Sequence, residues 1–278
     1  MGNKPNPEMF FVGHLDEVDD LEKYGRDAPL LDSEKNKKIL SEASEAIIDR
    51  MKDANRKAVM FVTSPKLRAK ETADLVAQEI KNKLGGDIKI RFSTNENLKS
   101  TEQGEFVLPE DYKPGTFSRE LDLASKIFIM ESLESPNPNL HYKFGDPIKR
   151  PDGSYKYPEL AQYFTKTGES YAESLIRILT TVLEASRKTD KFNSSVEMVV
   201  VAHGFTYHIL NGLTILGEQV KQGDVRLDVG ELAPKLWEIY KNGRSEIKSA
   251  AYAPLDITNL DNEDLLELLR REIEYLKK

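Results

Sequence analysis

Short apolar runs bounded by polar or turn residues alternate with longer stretches in which apolar residues recur every three or four positions. The runs are Phe10-Phe11-Val12, Ala58 to Val62, Ile88 to Phe92 and Val196 to Ala202. Their length and their β-branched or aromatic content predict strands. Between them, Leu40, Ala43, Ile47 and Met51 mark one face of a helix behind a cap at Asp32 or Ser33. Thr72, Leu75, Val76, Glu79 and Ile80 form a second helical stripe, with Pro65 in its first turn and a stop at Gly85-Gly86. Strand and helix in alternation predict an α/β fold: a three-layer α/β/α arrangement with a doubly wound, mostly parallel sheet covered on both faces.

Residues 105–166 break the rhythm with Pro109, Pro114, Pro136, Pro138, Pro147, Pro151 and Pro158 and a helical pattern only near Arg119 to Leu133. A connection of that length inside a compact domain predicts a lid or subdomain, so the chain reads as one domain, 1–278, with an insertion at 105–166. Tyr142, Phe144, Tyr155, Tyr157, Tyr163 and Phe164 either line a substrate pocket or form the insert's own small core. Periodicity resumes with Tyr171, Leu175, Ile178, Leu179 and Val182. Further on, Asn242-Gly243 lies between two strand-like runs and predicts a hairpin. The last stretch is amphipathic through Leu265, Leu266, Leu269, Ile273 and Leu276, which predicts a helix packed on the domain or, alternatively, a homodimer contact.

Composition narrows the function classes. The net charge is −7, with Lys and Glu interspersed, which argues against a nucleic-acid groove or a polybasic membrane surface. Cysteine is absent, so there is no disulfide framework, thiolate nucleophile or Cys-based metal site. The N-terminal residues lack the apolar core of a signal peptide, and no apolar run approaches the roughly 18 residues of a membrane span. The expectation is a soluble cytoplasmic protein acting on a small molecule, with no nucleic-acid or membrane partner and no cofactor.

The chemistry starts at His14, which follows the apolar run ending at Val12-Gly13 just as His203 follows Val199 to Ala202. Both belong at the carboxyl ends of strands, where open α/β sheets place their ligand crevice. Arg68, early in the helix after the second strand, combines a guanidinium fork with the positive end of a helix dipole, an arrangement suited to phosphate. His208 and His141 lack comparable placement and read as structural.

The string Ser64-Pro-Lys-Leu-Arg-Ala-Lys-Glu-Thr-Ala73 resembles a signature block of the histidine phosphatase superfamily, the phosphoglycerate-mutase-like proteins. Asp27 to Glu34, Gly168 to Ile178 and Val199 to Gly204 are similar to further segments of that family, in the same order. The resemblance implies a nucleophilic histidine at His14, a phosphate-binding arginine at Arg68 and a second histidine at His203. Ser64 and Gly204 belong to the same matched segments and join the substrate-binding candidates. Such a site works by in-line attack of a neutral imidazole, with cationic donors spread over the equatorial oxygens and an acid assisting departure.

The sequence departs from the family where that chemistry is most demanding. Gly13 stands where the resemblance implies an arginine, and Ser100 where it implies the acid. Loss of one clamping guanidinium costs on the order of 10³ in rate by analogy with arginine fingers and oxyanion-hole deletions. Glu102, or Asp16 or Glu17, is a candidate acid; Arg26 or Lys23 is a candidate replacement cation; Asp20 and Ser100 complete the substrate-binding candidates. Three functions stay open: a phosphatase or phosphotransferase working through phospho-His14, a degenerate member that binds a ligand or a protein, and a repurposed enzyme whose Asp16, Glu17, Asp19 and Asp20 receive a cation. That acidic cluster has no recognised metal-ligand spacing, so no metal is assigned.

Overall fold

A computed structural model describes residues 9–16, 29–85, 87–101, 105–106, 154, 164–166, 168–189, 196–243, 252–255 and 263–278. The chain divides into two compact units, Met1–Ser100 with Arg177–Tyr275, and Thr101–Ile176 with Leu276–Lys278. Most of the expected 105–166 insertion lies outside the described residues.

The first unit is built on a five-stranded sheet. Its strands are β1 (Met9–Gly13), β2 (Ala58–Thr63), β3 (Lys89–Thr94), β6 (Val196–Ala202) and β7 (Tyr252–Leu255), in the spatial order β3-β2-β6-β1-β7. Every pairing is parallel except β1 with β7. Between the strands run α1 (Glu34–Asp53) and α2 (Leu67–Leu84), while α4 (Gly204–Gln222) follows β6 directly. The fold is thus the mostly parallel α/β sheet that the alternating pattern predicts.

Strand alternation sorts the side chains between the two faces. Phe10, Val12, Val59, Phe61, Val199 and Val201 enter one core with Ala43, Ile47 and Met51 of α1 and Ala69, Ala73, Val76 and Ile80 of α2. Burial of each large side chain there contributes about 1.5–3 kcal/mol. On the other face the Phe11 ring meets Tyr207 of α4, with centroids 5.0 Å apart. Glu197 interrupts the apolar row of β6 with no exposed surface, and Arg50 and Arg56 both hold its carboxylate.

Local signals end the helices where expected. Ser33 caps α1 by accepting from the Asn36 amide at 3.2 Å. Gly85 ends α2 at φ 88°, a conformation that side chains rarely adopt. Two details differ from the sequence reading: α2 begins at Leu67, after Pro65 rather than around it, and Leu75 is 36% exposed while Ala69, Ala73 and Ala77 fill the buried face. Small alanines let α2 approach the sheet where a leucine would not fit.

The expected hairpin at Asn242-Gly243 is overturned on its first side. Leu232–Gly243 is a helix, α5, with Leu232, Ala233, Leu236 and Tyr240 buried on one face. A spacing of one and four residues satisfies a helix and a loosely alternating strand alike over so short a window, and Asn242 and Gly243 both lie within the helix. The C-terminal helix, α6 (Glu263–Leu276), packs on the fold through Leu265, Leu269 and Ile273. From α6 the fully buried Glu272 accepts from the amides of Gly230 and Ala233, capping the start of α5. Gly230 has φ 90°, and the Tyr275 ring would lie 3.2 Å from any added Cβ.

In the second unit β4 (Glu105–Phe106) pairs antiparallel with β5 (Phe164–Lys166). The helix α3 (Tyr171–Thr189), which belongs to the first unit from Arg177 onward, starts with a capping box: Glu173 N–H donates to Ser170 Oγ at 3.0 Å, and Ser170 N–H donates to Glu173 Oε2 at 2.6 Å. The predicted stripe Tyr171, Leu175, Ile178, Leu179 and Val182 is buried along α3. No helix among the described residues is long and apolar enough to cross a membrane.

Candidate functional site

The neighbouring parallel strands β2, β6 and β1 end side by side and deliver Ser64, His203 and His14 to one place. The ladder continues one step past the strands: Ser64 N–H donates to Val201 O at 2.9 Å and His14 N–H to Ala202 O at 3.0 Å. The two imidazole rings consequently lie 5.1 Å apart between centroids, tilted by 60°.

Hydrogen bonding assigns each tautomer. His14 Nδ1 lies 2.9 Å from the Leu15 carbonyl oxygen, which can only accept, so Nδ1 carries the proton and Nε2 keeps its lone pair. His203 is placed the other way round. Its Nδ1 faces the Arg68 guanidinium at 3.5 Å, a group that can only donate, and its Nε2 lies 2.8 Å from Ser64 Oγ. His203 therefore donates through Nε2 to the serine.

Burial lowers the His203 pKa to about 2, with further lowering from the neighbouring His14 and from the positive charges of Arg68, Lys66 and Arg177. The ring is neutral throughout the physiological range. Ser64 is fully buried beside this weak base, so the pair does not form an activated serine nucleophile; Ser64 positions the imidazole. A site in which a guanidinium faces a neutral histidine suits an anion.

Ser64, Glu71 and Thr72 of the Ser64–Ala73 string each tie down a segment of this site. Ser64 holds His203, and Arg68 faces it. Glu71 accepts from the Leu30 amide at 2.9 Å. Thr72, with no exposed surface, accepts from the Leu15 amide at 3.1 Å and donates to Arg68 O at 2.7 Å, linking the turn after His14 to the helix carrying Arg68. Asn36 secures the same turn by bonding both the amide and the carbonyl of Asp16, and Leu31 O besides.

The remaining candidates are placed as follows. The Asp16 carboxylate forms an ion pair with Lys35 at 2.5 Å. Gly204 opens α4, and a Cβ there would meet nothing within 4 Å. Ser100 is half-buried at the end of a loop whose Asn97 and Lys99 carbonyls both accept from Arg177, at 2.5 and 3.3 Å. Glu17, Asp20 and Glu102, together with Lys23 and Arg26, lie outside the described residues. His208 is buried edge-on against Tyr240, with centroids 4.8 Å apart, among the aromatics of α4 and α5.

The sequence reading did not single out Lys66 and Arg177, whose charges help lower the His203 pKa. Both stand inside the stretches that carry the family resemblance, and their charge was the available signal. It was masked because a Lys or Arg on a helix is ordinarily a solvated surface residue.

No protein-family model matches the chain, and no curated protein matches it by sequence. Among solved structures it is similar to a mycobacterial hydrolase, at TM-score 0.45 and 15% identity over 82% of this chain and 76% of that one. It is similar to phosphoglycerate mutase from Bacillus anthracis strain Sterne, at TM-score 0.43 and 17% identity over 81% of this chain and 85% of that one. A third is the product of an open reading frame of Mycobacterium tuberculosis, at TM-score 0.38 and 16% identity over 73% of this chain and 77% of that one.

Proposed function

We propose that this chain transfers or hydrolyses the phosphoryl group of a small-molecule phosphoester through phospho-His14. The observation that carries the reading is the His14 tautomer: its Nδ1–H bond to Leu15 O leaves the Nε2 lone pair available for attack. In this reaction Nε2 attacks phosphorus as the ester P–O bond breaks. The leaving oxygen takes a proton from an acid, for which Glu102 is the candidate in this reading. Water then attacks the phosphoimidazole, giving phosphate and regenerating neutral His14; an acceptor alcohol in place of water completes a transfer. Arg68 binds the oxyanion in this reading, beside His203, which Ser64 holds in place.

The test is a panel of phosphomonoesters with wild type and His14→Ala, combined with an acid-labile, alkali-stable phosphoenzyme trap. Turnover and trapped label in wild type, both lost in a folded His14→Ala protein, support the reading. Equal turnover in the two proteins rejects it. Oxyanion binding without turnover across the panel assigns the pocket to ligand binding alone.

A further inference from the structure

We propose that Lys66 supplies a second strong cation to the anion pocket of His14, Arg68 and His203, assuming the electrostatic part that Gly13 cannot play. The inference rests on reading this pocket as an oxyanion site.

Lys66 occupies the N-cap of α2 with φ −66° and ψ 140°, and its side chain makes no capping hydrogen bond. Three local rules are broken there together. An N-cap favours Ser, Thr, Asp or Asn, whose oxygen satisfies an orphan amide. A cation at a helix N-terminus faces the positive end of the dipole, and the first turn of α2 contains no acidic residue. The side chain is half-buried, yet its ammonium has no ion pair or hydrogen bond among the described residues. Positions that break local preference with no structural return are characteristic of functional sites.

Its backbone connects it directly to that pocket. Lys66 N–H donates to Ser64 Oγ at 3.3 Å, and the same oxygen bonds His203 Nε2 at 2.8 Å. Lys66 thus begins one hydrogen bond from the serine that orients His203, with a flexible four-carbon stem to place its charge. Its charge is among the causes that lower the His203 pKa, after that of Arg68. A bound oxyanion would give the Lys66 ammonium a counter-charge.

The experiment measures vanadate and inorganic phosphate binding by calorimetry in wild type, Lys66→Ser, Lys66→Arg and Lys70→Met. Serine is the informative replacement because it is a good N-cap and removes the misplaced charge, so Lys66→Ser should melt at a higher temperature than wild type. It should also bind oxyanion about ten- to a hundredfold more weakly, the loss of one charge-assisted contact. Lys66→Arg should stay within about threefold of wild type. Lys70→Met, which removes an exposed lysine of the same helix, should leave affinity unchanged. Lys66→Ser affinity within twofold of wild type would overturn the proposal while leaving the oxyanion site standing, as would equal weakening in Lys66→Ser and Lys70→Met. A folded wild type that binds neither anion would overturn both.

Discussion

His14 and His203 face each other from the ends of adjacent parallel strands in opposite tautomers, His14 protonated on Nδ1 by its bond to Leu15 O and His203 on Nε2 by its bond to Ser64. One ring thereby keeps its unprotonated nitrogen at Nε2 and the other at Nδ1. The bonds that fix the two tautomers come from a backbone carbonyl oxygen and a serine oxygen.

Removing the serine tests that positioning. Ser64→Ala deletes the oxygen that accepts from His203 Nε2 and leaves a buried N–H without a partner, costing about 1–3 kcal/mol of stability. Oxyanion affinity and any turnover should fall together, because the ring that organises the anion is released. Urea midpoints and calorimetric titration of the same preparation check both; unchanged values in each would show that Ser64 does not position His203.

Acid stability should carry the signature of His203. Burial and then the neighbouring positive charges depress its pKa from 6.5 to about 2. Below the unfolded value, the unfolded chain therefore binds a proton that the native state refuses. Stability then rises with pH across the window from about 2 to about 6.5, and falls as the solution is acidified through it. The slope from this one group approaches about 1.4 kcal/mol per pH unit. His203→Asn should flatten the loss between pH 7 and pH 5 relative to wild type in matched urea titrations. Parallel losses in the two proteins would place the proton elsewhere.

Thr72 connects the turn after His14 to α2. In Thr72→Val the shape is retained but the Leu15 amide loses its acceptor in a fully buried setting, a cost of about 1–3 kcal/mol. The His14 turn should loosen, so turnover should fall more steeply than global stability predicts. Amide hydrogen exchange at Leu15 reports the loosening directly, and protection equal to wild type would count against it.

The buried carboxylate of β6 makes a stability prediction away from the pocket. Glu197→Gln leaves Arg56, itself 8% exposed, and Arg50 without their shared counter-charge, a destabilisation of about 3–5 kcal/mol. Oxyanion affinity of the folded fraction should be unaltered, because Glu197 lies near the start of β6, at the opposite end of the strand from His203. A thermal melt with a parallel binding titration separates the two effects.

How much the one-dimensional pattern could determine follows from what each feature depends on. Strand runs, the stripe of α3, the Ser33 cap and the Gly85 stop depend on neighbours within a few residues, so they are legible along the chain. The pairing of His14 with His203 at strand ends was also legible, because an α/β rhythm has only one edge of the sheet for a ligand. Leu232–Gly243 was misread because helix and strand periods overlap in a short window, and the buried Leu236 and Tyr240 face that settled it exists only against α4 and α6. The tautomers, the buried bond from Ser64 to His203 across 139 residues, the loop ties of Asn36 and Thr72, and the reach of the Lys66 and Arg177 charges were decided by tertiary structure alone. Each depends on strand register and on water removed from between charges, and neither is written in the local order of residues.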